Sequence, residues 1–141
     1  MLVKEIYENF EMKDGNLVYI GKETDGRKIQ IPGTTTIAHM FENNKNLVYP
    51  PEIPEGVEDI SWAFSGCTNL KYAPKLVNSI INSNGAFYGC EKMERAGKIP
   101  YAIETANWMF QGCSSLKEVS ELPETLTRKM DIFKDVPLYE R

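Results

Sequence analysis

Cys67, Cys90 and Cys113 stand 23 residues apart, and each closes the same kind of tetrapeptide: Phe64-Ser65-Gly66-Cys67, Phe87-Tyr88-Gly89-Cys90 and Phe110-Gln111-Gly112-Cys113. Stepping back 23 residues from Phe64 reaches Phe41, and stepping forward from Phe110 reaches Phe133, so five phenylalanines share one register. A fixed period of roughly 20–50 residues marks a stacked-repeat architecture. One such unit cannot bury its own apolar face, so neighbouring units must cover one another. This period constrains the fold more than any other feature of the chain.

Other columns keep the same register. Six residues after Phe come Leu47, Leu70, Met93 and Leu116; twelve after, Ile53, Leu76, Ile99 and Leu122; sixteen after, Val57, Ile80, Ile103 and Leu126. Met40, Ala63, Ala86, Met109 and Ile132 precede the phenylalanines. These columns are apolar in each copy and form the candidate core. Pro54, Pro100 and Pro123 follow the Ile/Leu column, with Val77 as the exception; proline there ends a strand or sets a turn. Five residues before Phe come Thr36, Asp59, Asn82 and Thr105, types that cap helix N-termini. Gly66, Gly89 and Gly112 suit the positive φ that ends a helical turn. Each unit therefore reads as a cap, one or two helical turns, Gly-Cys, a short strand around the Leu, and a proline-bounded loop.

The pattern Phe-x-Gly-Cys-x-x-Leu, followed by Ile/Leu-Pro and Val/Ile, resembles the short leucine-rich repeats of bacterial surface antigens over roughly residues 28–137. That resemblance implies a curved solenoid with a parallel sheet on one face, inward stacked thiols, and adhesive or partner-binding roles. The expected fold is thus an α/β repeat solenoid of about five 23-residue units with an N-terminal β cap. It is one domain, with residues 1–31 as N-terminal cap, 32–128 as repeats and 129–141 as C-terminal cap. In the first cap, Phe10 to Ile20 reads as a hairpin turning at Asp14-Gly15, and a second Asp-Gly lies at Asp25-Gly26. A starting helix over 2–9 competes there, from the spacing of Leu2, Ile6 and Phe10. At the other end Lys129, Asp131 and Val136 depart from the repeat pattern as a closing cap does.

A net charge of −4 with a sequence pI near 5.1 argues against direct nucleic-acid binding, which usually calls for a basic stripe. Three cysteines, an odd count, suit a reducing compartment better than a disulfide framework. The first residues carry charge where a signal peptide has an apolar run, and no segment is long and apolar enough to span a bilayer. These features give an expected cytoplasmic location with no membrane partner, and a surface or secreted one only if the sequence is a fragment.

Candidate chemistry is sparse. The cysteines lack the short spacings of a zinc site and read as buried structural thiols. His39 is the single histidine and shares a column with Trp62, Gly85, Trp108 and Asp131, with no nucleophile motif nearby. Trp62 and Trp108 read as a cover over the core, with Gly85 leaving space between them, and alternatively as an interface hot spot. Phosphate-binding glycine loops are absent, and Glu121 and Glu124 read as solvated surface. The expectation is a non-enzymatic chain with no cofactor, no metal and no small-molecule substrate.

The strongest candidate surface lies seven and eight residues after Phe: Val48-Tyr49, Lys71-Tyr72, Glu94-Arg95 and Lys117-Glu118. These residues flank the inward Leu, so they should face outward and form a ladder on stacking. Tyr and Arg are enriched in binding hot spots. Tyr49, Lys71, Tyr72, Glu94, Arg95, Lys117 and Glu118 are therefore the candidate partner-binding residues. The leading function is a protein-protein interaction module. Alternatives are a phage- or mobile-element-encoded inhibitor that blocks a host enzyme such as a defence nuclease, and an adhesin fragment.

Overall fold

The computed structural model describes residues 7–139. Within them, 23-residue coils stack one on the next, and the apolar columns fill the interior. Phe41, Phe64, Phe87 and Phe110 are at most 1% exposed, and Phe133 packs partly buried beyond them. Successive phenylalanine rings lie 5.3–5.8 Å apart between centroids and within 5–8° of parallel. Tyr19 and Phe10 continue the line at one end and Tyr139 at the other, giving eight rings in one file. Ring pairs at such separations add attraction to the burial of apolar surface.

The N-terminal hairpin is present. Strand β1 (Phe10–Lys13) pairs antiparallel with β2 (Asn16–Tyr19). Asp14 and Gly15 both have positive φ, 51° and 82°, as a two-residue hairpin turn with matched twist requires. The Tyr19 N–H then donates to the Met40 carbonyl at 2.9 Å, which fastens the hairpin to the first coil. Gly26 packs so tightly on the backbone of Tyr49 and Pro51 that a Cβ there would overlap it. The proposed starting helix lies largely outside the described residues.

The helical turns expected in each unit are not formed: no α-helix occurs among the described residues. From four residues before Phe to three after, the N–H groups alternate in direction. Ile60, Trp62, Phe64 and Gly66 donate to carbonyls of the next coil at 2.7–2.9 Å. The intervening Ala63, Ser65 and Cys67 donate three residues back within their own coil at 3.0–3.3 Å. The same alternation runs through the neighbouring coils. An α-helix would keep these donors inside the segment and hold φ near −63° throughout. Here φ is +58° at Trp62 and +74° at Gly66, which aims half of the donors across to the neighbour.

The column assigned to helix caps has a different place. Thr36, Asp59, Asn82, Thr105 and Arg128 form a row of parallel bridges. Asp59 and Asn82 still accept the N–H two residues on, at 2.8 and 3.2 Å, so the cap chemistry is retained in a turn. A second parallel row runs through Tyr72, Arg95 and Glu118, with Asp25 bridged to Tyr49 at the cap. Only β3 (Arg95–Ala96) and β4 (Glu118–Val119) extend this row to two residues. The continuous parallel sheet expected on one face is thus reduced to narrow bridge rows, because each coil turns within a residue or two of the bridge. The repeat fold stands, with turns in place of the expected helical layer.

Candidate functional site

The candidate binding residues divide into two rows. Leu47, Leu70, Met93 and Leu116 are buried, which turns their neighbours on either side outward. Lys71, Glu94 and Lys117 therefore stand in line on consecutive coils, and Lys117 Nζ lies 3.0 Å from Glu94 Oε1. The hydrogen bond from Lys117 holds the Glu94 carboxyl below its ordinary pKa. Both side chains are more than half exposed, so the pair contributes little to stability.

Tyr49, Tyr72, Arg95 and Glu118 form the second row. The Tyr49 and Tyr72 rings lie 6.1 Å apart. The Arg95 guanidinium sits 4.5 Å from the Tyr72 ring centre, and Arg27 sits 4.7 Å from that of Tyr49. Both tyrosines are half-buried, where the sequence pattern had them pointing freely outward. Each ring has a cation against it, and Arg27 ties the cap to the first coil. Asp25 in turn binds Arg27 at 2.8 Å, and this hydrogen bond lowers the Asp25 pKa.

The first row borders an open trough of about 880 Å³. Lys71, Glu94 and Lys117 line it together with Asn69, Lys92 and Ser115 from the column on the other side of the buried Leu. Leu116, Pro137 and Leu138 add apolar wall. Tyr72 and Arg95 face other, smaller depressions. Sequence reasoning missed Asn69, Lys92 and Ser115 by following the strand in one direction only. The alternation that selected Lys71 and Lys117 selects these residues equally.

Across the molecule, Trp62 and Trp108 stack with centroids 6.0 Å apart and an interplanar angle of 24°. They close over Gly85, whose missing side chain leaves the space, and Tyr88 packs beside Trp62 at 5.8 Å. The pair is half-buried, as the core-cover reading expects. His39, in the same column, hydrogen-bonds the Glu42 carboxylate.

The thiols of Cys67, Cys90 and Cys113 are free and buried. Each Sγ lies 3.1 Å from the Phe carbonyl one coil back. That carbonyl also accepts an N–H from within its own coil, so the cysteine ties two coils at one acceptor. Burial pushes the Cys67 and Cys113 thiols up to about 12 and raises Cys90 well above its usual value. Such thiols stay protonated and unreactive at neutral pH. Among the described residues no three His, Cys, Asp or Glu side chains converge as a metal site would require. No helix there is long and apolar enough to cross a membrane.

Buried Phe and Leu columns at a 23-residue period define this chain as a leucine-rich repeat protein. Residues 34–139 match the family model described as BspA type Leucine rich repeat region (6 copies), and the chain belongs to that family. No curated protein and no solved structure matches it.

Proposed function

We propose that this chain is a short solenoid that works as a protein-interaction module, with a protein partner docking along the trough and the adjoining tyrosine row. The observation that carries this reading is the alignment of Lys71, Glu94 and Lys117 on consecutive coils along an open concavity. Stacked repeats offer extended surfaces of this kind to macromolecules. Binding of this sort needs no cofactor and no catalysis. An odd number of buried, unpaired thiols suits a reducing compartment, and we place the interaction in the cytoplasm.

The test compares partner capture from the source cells by the wild-type chain and by Lys71→Glu/Lys117→Glu. Loss of the partner with an unchanged melting temperature is the expected result. A partner retained both by this variant and by Tyr72→Ala/Arg95→Ala would place the interface elsewhere.

A further inference from the structure

The trough has a charge opposite to that of the chain. Among the described residues three cations, Lys71, Lys92 and Lys117, line it against one anion, Glu94, while the whole chain carries −4. Glu94 stands between Lys71 and Lys117 in their column and pairs with Lys117 at 3.0 Å, an exposed contact that an incoming carboxylate would share. Lys92 Nζ donates to Asn69 Oδ1 at 2.9 Å, which holds the ammonium over the trough. Ser114 and Ser115 add hydroxyl groups to the lining, and Val48, Leu116 and Leu138 add apolar surface. Among the described residues no arginine and no aromatic ring lines the trough, and aromatic stacking platforms are what usually hold single-stranded nucleic acid.

The spacing narrows the occupant further. Lys71 and Lys117 hold the same column two coils apart. Bridged strands lie about 4.8 Å apart, so these positions are separated by about 10 Å along the stack. A polyproline-II segment rises about 3.1 Å per residue with three residues per turn, so its residues i and i+3 share one face about 9 Å apart. We propose that the trough binds an extended, acidic segment of a partner protein, with carboxylates at i and i+3 meeting Lys71 and Lys117. Lys92 adds a third cation beside them. This assignment deepens the interaction-module reading and rests on it.

Fluorescence anisotropy with a labelled Glu-Pro-Pro-Glu-Pro-Pro-Glu peptide tests it. The reference is an isomer with the three glutamates adjacent, which has the same charge and composition. The spaced peptide should bind wild type at least about tenfold tighter than the isomer and weaken as salt rises. Lys71→Ala/Lys92→Ala/Lys117→Ala should abolish that binding. Lys75→Ala/Lys98→Ala/Lys134→Ala, with the same loss of charge away from the trough, should preserve it. Equal weakening in both variants would reduce the effect to diffuse attraction and overturn the proposal, as would equal affinity for the two peptides. Tighter trough-dependent binding of an oligonucleotide would overturn it in favour of nucleic acid. Partner capture separates this failure from that of the module itself. A partner kept by the trough variant but lost by Tyr72→Ala/Arg95→Ala overturns the acidic-segment assignment and leaves the module standing.

Discussion

His39, Trp62, Gly85, Trp108 and Asp131 all hold φ between 51° and 61°, yet only one of them is glycine. A left-handed residue with a side chain costs roughly 1–2 kcal/mol. Forward hydrogen bonds and ring packing offset that cost at the tryptophans. Gly85 is different, since any Cβ there would overlap the Trp62 ring. Gly85→Ala should destabilise the chain by about 2–4 kcal/mol, combining backbone strain with overpacking. A double-mutant cycle with Trp62→Ala in urea should recover about 1–3 kcal/mol as coupling. A coupling near zero would show that the ring does not fill the space over Gly85. The cysteines give a second prediction. Their folded pKa values are raised above the ordinary thiol value. Protonated thiols are therefore fully stabilising below pH 9, and for Cys67 and Cys113 that contribution is lost as pH rises from about 9 toward 12. Each of these two should cost about 1.4 kcal/mol per pH unit in that interval. Denaturant titrations at pH 8 to 11 should show a shallower decline for Cys67→Ala than for wild type, once the variant's own loss of packing is subtracted at pH 8.

The coil is the element of this fold, and its edges are where sequence and structure part. Thr36, Asp59, Asn82 and Thr105, five before Phe, were expected to cap helices; the turn they begin instead directs alternate N–H groups to the next coil. The tyrosine row shows a related coupling between elements. Tyr49 is a candidate binding residue, and its ring also joins the cap to the repeats through Arg27 at 4.7 Å and Lys71 at 5.5 Å. Tyr49→Ala should therefore cost about 1–2 kcal/mol through lost cation–π contact and burial. Faster amide exchange should appear at Gly26 and Val48, which hydrogen-bond between cap and first coil at 2.8 Å. Unchanged exchange at both amides would separate the ring from cap docking. Loss of partner binding in Tyr49→Ala must accordingly be compared with Tyr72→Ala before it is assigned to the interface.

Viewed as a whole, the molecule is held by one file of rings and by hydrogen bonds that repeat from coil to coil. Phe87 stands in the middle, fully buried between Phe64 and Phe110 at 5.5 and 5.7 Å. Replacing it with Ala removes both contacts and leaves a cavity, with an expected loss on the order of 3–5 kcal/mol. Most domains are stable by only about 5–15 kcal/mol, so the variant should melt far below wild type by circular dichroism. Phe133→Ala should cost less, because that ring is only partly buried at the end of the file. Equal losses at the two positions would mean that the stack does not share its burial as described.

Much of this architecture is written in the residue pattern. The 23-residue period, the inward Phe, Leu and Cys columns, the hairpin at Asp14-Gly15 and the positive φ at Gly66, Gly89 and Gly112 follow from side-chain polarity and backbone sterics, which act locally. The outward direction of Lys71, Glu94 and Lys117 follows from alternation about a buried Leu. Other features depend on groups that meet through stacking. A positive φ at Trp62 and Trp108 is unfavourable for each residue alone and becomes stable when the neighbouring coil offers carbonyls to the redirected N–H groups. The trough likewise joins Lys92 to Lys71 and Lys117, residues on three different coils. Their proximity comes from the rise between coils, and no single unit contains it.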